Sequence, residues 1–386
     1  YKNLLNSNIC LKFATRYEIT MNKLKAYKFR LYPNATQEVL LNKTFGCVRY
    51  AWNQNVANFL TYDKDDNPKP IFKTSTELRN EIEWMKEVSA SAIQQKEMDF
   101  KEFKTQLFNA KRKSKIGFPK FKKKSNRQSY RLPNQKFKIV NGKLQLEKIG
   151  KIKFIQDREF PEFFKFMNVT ISKNPSGEYY ASILIEQEIN HKPKTNKECG
   201  IDVGIKSFSV QSDGVEVDNP KYFSKSQAKL RRLQQHFSRK QKGSKRREKC
   251  RLKLAKLHQK ITNQRDWFLH NYSTYLIENY DRVFIEDLDV KGLLEKKQLS
   301  KEISDVSWSK FFQMLQYKAN WYGKEVIKVN RYYASSKTCG CGVKNDSLKL
   351  SDRVWTCDSC KVVNSRDVLA SLNILKEGRR SLGDLG

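Results

Sequence analysis

Cys199-Gly-Ile-Asp202-Val-Gly-Ile-Lys206 is the stretch from which the fold is read. A short apolar run climbs to an aspartate with a glycine on either side. The pattern then resumes through Val210, which predicts a strand turning into a second strand. Small neighbours leave room for a phosphate or a metal to approach the backbone. Actin-like and RNase H-like folds both open in this way, and an aspartate that merely caps a turn fits the same letters. Two further acids stand in comparable settings. Glu286 ends the apolar run Val283-Phe-Ile-Glu286, and Asp367 opens Asp367-Val-Leu-Ala-Ser-Leu-Asn373-Ile-Leu375. The spacing of Val368, Leu369, Leu372 and Leu375 predicts a helix with one buried side. Asp287 and Asp289 compete with Glu286, although strand alternation turns Asp287 to the other face.

An aspartate at a helix start is often an N-cap. In series with two acids on strand ends, Asp367 acquires a second reading. Three carboxylates brought to one point repel each other unless divalent cations lie among them, so Mg²⁺ (or Mn²⁺) is implied. Paired ions held this way suit hydrolysis of a phosphodiester.

The rest of the chain is consistent with that chemistry. Its 386 residues hold 76 Lys+Arg against 41 Asp+Glu, a net charge of +35 and a pI near 9.8. No uninterrupted apolar stretch approaches the roughly 18–20 residues of a spanning helix, so no membrane partner is expected. Nucleic acid is the matching polyanion. Cys339, Cys341, Cys357 and Cys360 cluster, whereas Cys10, Cys47, Cys199 and Cys250 are scattered. Clustering favours a structural Cys₄ zinc ribbon in a reducing compartment over a disulfide framework, with reduced thiols as the alternative. The second pair has the ordinary two-residue gap; the first, Cys339-Gly-Cys341, is one residue short. The first twenty residues show no signal-peptide pattern and are expected to be an upstream extension.

Lys25-Ala-Tyr-Lys28-Phe-Arg30-Leu-Tyr-Pro33 alternates and predicts a strand that stops at proline. Thr36 is the expected cap of a helix reaching Gly46, with a second helix from Val48 to Leu60 and a long helical stretch over 77–112. Residues 111–131 are a run without acids: Lys111, Arg112, Lys113, Lys115, Lys120, Lys122, Lys123, Lys124, Arg127 and Arg131, interleaved with Phe118, Phe121 and Tyr130. A solvated linker or a phosphate-binding segment accounts for it. Short strands follow at 137–140, 143–146, 151–155 and from Tyr179, with Asn-Gly and Ser-Gly turns. Residues 225–262 form a basic helical hairpin broken at Gly243-Ser244. Leu230, Leu233, Phe237, Leu252, Leu254 and Leu257 are its expected seam.

These residues together resemble the TnpB family, the proteins of bacterial insertion sequences also called OrfB transposases. The resemblance covers nearly all of 21–377. It rests on the strand ending at Pro33, on Phe45-Gly-Cys-Val-Arg49-Tyr-Ala-Trp-Asn53, on Phe118-Pro-Lys120-Phe-Lys122, and on the three acid motifs. The stretch from Ser335-Ser-Lys-Thr-Cys339 through Arg366-Asp367 to Asn373-Ile374 completes it. It implies an RNA-guided, Mg-dependent endodeoxyribonuclease, a relative of type V CRISPR effectors. The implied fold class is α+β and multidomain: a small β-barrel with a helical insertion, then an RNase H-like (RuvC) α/β domain with an inserted helical hairpin and a zinc ribbon. The expected boundaries are a barrel at 21–35 and 116–190, a helical recognition insert at 36–115, and a nuclease domain at 196–334 and 366–378. A ribbon at 335–365 and a tail at 379–386 complete them.

By the same resemblance Asp202, Glu286 and Asp367 are the catalytic magnesium ligands. Cys339, Cys341, Cys357 and Cys360 are the zinc ligands. Lys28, Arg30, Arg49, Asn53, Lys120, Lys122, Lys123, Arg127, Arg131, Arg232, Arg239, Lys240, Lys245, Arg246 and Arg247 are the residues expected on nucleic acid. The implied partners are a guide RNA from the protein's own locus and double-stranded target DNA. The expected particle is a monomeric ribonucleoprotein in the bacterial cytoplasm, associated with the nucleoid. Base pairing would read sequence while the protein grips backbone and a short adjacent motif.

The chain departs from the family pattern at the short first cysteine gap, at Ser365 where an acid is usual, and at Leu369 where an amide beside the metal site is expected. Those departures bear on cutting rate rather than fold. Two alternatives therefore stand beside the nuclease: a nuclease-weak or inactive RNA-guided DNA-binding regulator, and a DNA transposase or recombinase.

Overall fold

The computed structural model describes residues 21–60, 72–109, 116–295, 300–331, 333–349 and 352–383. The expectations for residues 1–20, for Lys111, Arg112, Lys113 and Lys115, and for 384–386 lie outside the described residues. The chain gathers into two compact units, Asn22–Glu188 with Gln241–Lys256, and Ile189–Lys240 with Leu257 onward.

In the first unit, β1 (Met21–Tyr32) buries Tyr27, Phe29 and Leu31 and exposes Lys28 and Tyr32, the alternation a half-buried strand requires. After Pro33 one continuous helix, α1 (Ala35–Leu60), replaces the two expected. Asn34, not Thr36, caps it. The Asn34 Oδ1 accepts the Gln37 N–H at 2.8 Å, and the Gln37 Oε1 accepts the Asn34 N–H at 3.1 Å. Gly46 does not break the helix, because a mid-helix glycine costs about 1 kcal/mol. Burying Phe45 and Val48 on either side of it yields roughly 1.5–3 kcal/mol each.

The expected long helix over 77–112 divides into α2 (Ser75–Glu81), a single 3₁₀ turn at Glu83–Glu87, and α3 (Ala90–Leu107). Ile82 and Val88 are extended, which lets Met85 and Val88 enter a core with Cys47, Ala51, Leu78 and Ile93. Packing outweighs helical continuity there.

Six more strands complete the unit: β2 (Gln128–Pro133), β3 (Phe137–Val140), β4 (Lys143–Leu146), β5 (Gly150–Ile155), β6 (Phe164–Lys173) and β7 (Tyr179–Ile189). The sheet order is β2-β6-β7-β1-β5-β4-β3, curled into a nearly closed barrel. Inward residues from every strand share one core, plugged by Leu41, Phe45 and Val48 of α1. The β3–β4 hairpin turns on Asn141 and Gly142, both at positive φ (50° and 66°), the demand of a type I′ turn.

In the second unit, β8 (Glu198–Val203), β9 (Ser207–Gln211), β10 (Glu216–Asp218), β11 (Arg282–Glu286) and β12 (Glu325–Val329) form a sheet of order β10-β9-β8-β11-β12. The β10-β9-β8 side is antiparallel and β8-β11-β12 is parallel. Its helices are α4 (Tyr222–Ser238), the part of α5 (Lys245–Asn279) from Leu257 onward, α6 (Val290–Glu295), α7 (Ser300–Val306) and α8 (Trp308–Tyr322). The hairpin break falls at Gly243 (φ 84°), as expected. However, α5 runs on to Asn279, because Ile261, Leu269, Tyr272, Leu276 and Ile277 carry its apolar face into the sheet core. Of the six expected seam residues only Leu230 is buried.

A small hairpin, β13 (Val354–Thr356) and β14 (Val363–Ser365), precedes α9 (Arg366–Ser381). α9 lies on β8 at backbone contact. A Cβ at Gly200 would stand 2.2 Å from the Ser371 carbonyl oxygen, and one at Gly378 would stand 2.0 Å from the Phe284 ring. At the opposite end of the sheet, Lys324 pairs with Asp281, whose carboxylate also accepts the Thr195 and Asn196 N–H groups.

Candidate metal centres and basic surfaces

β8 and β11 run parallel in a register that pairs Ile201 with Ile285. The next residue on each strand is an acid, so Asp202 and Glu286 leave neighbouring strands at the same end. The first turn of α9 adds Asp367. All three line one open cleft of about 760 Å³, together with Lys206, Trp308, Tyr333, Lys337, Arg353 and Arg366. Asp287 points away, paired with Lys328 and Arg331, as alternation required.

Burial, then the neighbouring Asp367 and Glu286 charges, push the Asp202 carboxyl up to about 7. Burial also raises Glu286. Arg353 offsets part of the negative charge, donating from Nη1 to both Asp367 oxygens at 3.1 Å. Hard oxygen donors that resist ionising together fit a divalent cation such as Mg²⁺. The three carboxylates are spaced more widely than one shared ligand shell. Among the described residues, the one group of three or more acid, Cys or His side chains with ligand atoms within 4.8 Å of one another is Cys339, Cys341, Cys357 and Cys360.

Those four sulfurs are drawn together by two turns. Cys339 Sγ lies 3.5 Å from Cys360 Sγ, and Cys341 Sγ lies 3.7 Å from Cys357 Sγ. A tetrahedron with ~2.3 Å Zn–S bonds has edges of about 3.8 Å, so the set fits zinc. The short first gap closes because the Gly342 N–H bonds the Cys339 carbonyl with Gly342 at φ 91°. The Asn364 amide reaches Cys339 Sγ at 3.6 Å.

Leu369 requires a correction. Rather than standing beside the acids, it packs with Cys339, Leu348, Trp355 and Cys357 in the core of the cysteine segment. Ser365 is an exposed N-cap position whose side chain makes no capping bond. Sequence reasoning missed Arg353, Lys206 and Lys337 at the cleft. Arg353 reaches it because β13 pairs with β14 in a register that sets Val354 against Ser365, a relation no local signal announces. The Asn373 amide, quoted only as part of a motif, donates to the Ser335 and Thr338 carbonyls and anchors the entry to the cysteine segment on α9.

The expected nucleic-acid residues divide into two groups. Asn53 exchanges both amide bonds with the Lys122 backbone, and Trp52 donates to the Lys120 carbonyl, so these two side chains fasten the basic segment to α1. The Lys122 ammonium sits 3.9 Å from the Trp52 ring centre, and burial and Lys96 lower it to about 8. Arg131 is held by Asp99 and Gln95, and Arg30 by Glu178. Lys28 lies over Tyr180. Arg49 bonds Gln128 and lines a cavity of about 290 Å³ with Phe121, Lys120, Lys123 and Arg127. Lys120, Lys123, Arg127, Arg232, Arg239, Lys245 and Arg246 are exposed, and Lys240 and Arg247 half-buried.

Three family models match the chain. Residues 182–297 match one described as "Probable transposase", residues 308–374 one described as "Cas12f1-like, TNB domain", and residues 21–59 one described as "Helix-turn-helix domain". In this chain 21–59 forms one strand and one helix. A Streptomyces pristinaespiralis protein named "Putative RNA-guided DNA endonuclease" is 37% identical over 365 residues, covering 92% of this chain and 89% of that protein. An Escherichia coli K12 protein of the same description is 28% identical, covering 94% of each. A solved chain titled as a Cas12f1–sgRNA–target DNA complex aligns with a TM-score of 0.48 and 16% identity, covering 92% of this chain and 98% of that one.

Proposed function

The chain belongs to the TnpB (OrfB) family of RNA-guided DNA endonucleases, and from that premise we propose that it cuts DNA under the direction of an RNA transcribed from its own transposable element. The observation that carries the reading is the meeting of Asp202, Glu286 and Asp367 at one cleft, from two adjacent parallel strand ends and a helix start. A five-stranded sheet with an antiparallel β10-β9-β8 half and a parallel β8-β11-β12 half supports an RNase H-like (RuvC) nuclease unit.

In this reading Asp202, Glu286 and Asp367 hold divalent ions, which when bound activate water and stabilise the leaving oxygen. Lys206, Lys337 and Arg366 line the same cleft and steady the phosphate there. The four cysteines hold a structural zinc that keeps the segment bearing Arg353 against α9. Among the described residues no helix is long and apolar enough to cross a membrane, and the proposed particle is a monomeric ribonucleoprotein acting in the bacterial cytoplasm.

The test is cleavage of a randomised plasmid library by protein co-expressed with its own-locus RNA, in Mg²⁺, against Asp202→Ala. Cutting beside one short motif, lost in the variant, is the expected result. RNA-dependent binding without cutting would transfer the reading to a regulator, and strand joining would transfer it to a transposase.

A further inference from the structure

We propose that the cysteine cluster is also a site of oxidative modification, where peroxide attacks through the exposed Cys341 and Cys360, releases the metal and loosens one wall of the acid cleft. The proposal rests on the zinc and endonuclease readings above and adds a reversible chemical control to them.

The four sulfurs are not equivalent. Cys339 and Cys357 are 3% and 0% exposed, whereas Cys341 and Cys360 are open to solvent. Each of the two turns therefore carries one buried and one exposed sulfur. Contacts between the turns join unlike members: Cys360 Sγ lies 3.5 Å from Cys339 Sγ, and Cys341 Sγ lies 3.7 Å from Cys357 Sγ. An accessible thiolate with a second sulfur beside it oxidises to a disulfide and stops short of the irreversible acids. Elsewhere, burial pushes the Cys47 and Cys199 thiols up to about 11, which keeps them protonated and unreactive.

The chemistry balances pair by pair. The exposed thiolate attacks one peroxide oxygen, the O–O bond breaks, the sulfur becomes a sulfenic acid and the other oxygen leaves as hydroxide. The buried thiolate beside it then attacks that sulfur; the S–S bond forms and the sulfenic oxygen leaves as a second hydroxide. Two electrons pass from the sulfurs to the peroxide, and two protons from solvent turn the hydroxides into water. Repeated at the other pair, this consumes all four anionic ligands of the ion. In a reducing compartment such disulfides are transient, so the modification reverses.

The cluster is wired to the acids. Cys339, Cys357 and Trp355 pack against Leu369, two residues beyond Asp367 on α9. Arg353, from the same segment, holds the Asp367 carboxylate. Closing each sulfur pair to the ~2.05 Å of a disulfide abolishes the tetrahedral spacing beneath Leu369. The barrel strands and the basic hairpin lie outside this segment, so oxidation acts on cutting and spares binding.

The experiment treats full-length, zinc-loaded protein carrying its own-locus RNA with hydrogen peroxide. Zinc release is read with a chromogenic chelator, disulfides by mass mapping of alkylated peptides, and DNA binding and cutting in parallel. About two peroxides are expected to release close to one zinc per chain, with Cys339–Cys360 and Cys341–Cys357 linkages. Cutting is expected to fall at least about ten-fold while DNA affinity stays within about two-fold, both recovering after a thiol reductant and Zn²⁺. Cys250→Ala, outside the cluster, is expected to respond as wild type does. Zinc retained at a dose that abolishes cutting overturns the proposal, as does zinc released with cutting unchanged, or a Cys250→Ala variant that resists. Sulfinic or sulfonic acids in place of the disulfides overturn it too. Wild type purified without zinc overturns the zinc reading and the proposal with it. Protein that never cuts overturns the endonuclease reading, whereas zinc release and the linkages are judged without turnover.

Discussion

Arg353 grips Asp367 with one guanidinium nitrogen shared between both carboxylate oxygens, each at 3.1 Å. The arginine belongs to the cysteine-bearing segment and the acid to the helix that follows it. Next to the acid, the Arg366 N–H donates to the Arg353 carbonyl at 2.8 Å, which anchors the two segments to each other. An ion pair this exposed is worth about 0.2–1 kcal/mol, and a divalent ion bound at the proposed site would have to share or displace it.

Arg353→Gln is therefore expected to lower the half-saturating Mg²⁺ concentration by up to about five-fold. Calorimetric metal titration reads this independently of turnover. Unchanged or weaker binding would mean that the arginine does not compete for Asp367.

The raised carboxyl of Asp202 sets a pH dependence. Its folded value is about 7 and its ordinary one 3.8, so the folded chain holds a proton that the unfolded chain has already released. Stability of the metal-free protein should fall as pH rises from about 4 to 7, by on the order of a few kcal/mol. Melting curves across that window should show the slope in wild type, lose most of it in Asp202→Asn, and recover neutral-pH stability when Mg²⁺ is added to wild type only.

The cysteine cluster should carry close to one zinc per chain, measured by elemental mass spectrometry. Structural zinc of this kind contributes ~10 kcal/mol or more to its fold. Cys357 is fully buried, so Cys357→Ser is expected to lose the metal, loosen the Trp355–Leu369 packing and reduce cutting. Metal-free wild type with intact cutting would refute the structural role.

Asp281 and Lys324 offer a control far from the acids. The Lys324 bond and the Thr195 and Asn196 N–H groups hold the Asp281 carboxyl at about 2, against the opposing effect of burial. Its stabilisation is present above pH 3.8 and lost as pH falls through 2. Asp281→Asn strands a buried ammonium and is expected to cost roughly 3–5 kcal/mol. Thermal melting should drop, while metal affinity of the remaining folded protein stays unchanged.

Much of this was legible locally. Alternation located β1, β3, β4 and β5, and apolar runs ending in acids located β8 and β11. β6 escaped because its register shifts between Phe166 and Asn168, which breaks the alternation. Gly46 looked like a terminus because propensity is local while the burial that overrides it is tertiary. Leu369 was misplaced for a related reason. Periodicity shows that α9 has a buried side, not whether a given position on it meets the acids or the cysteines. Arg131 read as an unpaired cation because its partner Asp99 lies 32 residues earlier, on a helix whose docking the sequence does not reveal.

The two glycine contacts of α9 have a mechanical consequence. With Gly200 against the Ser371 carbonyl, the helix carrying Asp367 meets the strand carrying Asp202 main chain to main chain, whereas the Phe284 ring, pressed on Gly378, spaces it from the strand carrying Glu286. The gauge of the proposed ion seat is set by main chain on the Asp202 side and by one aromatic ring on the Glu286 side. A single methyl at Gly200 would act as a shim, tilting the helix and widening the seat without touching an acid. Such a lineage could fall silent as a cutter while every acidic ligand still reads as intact.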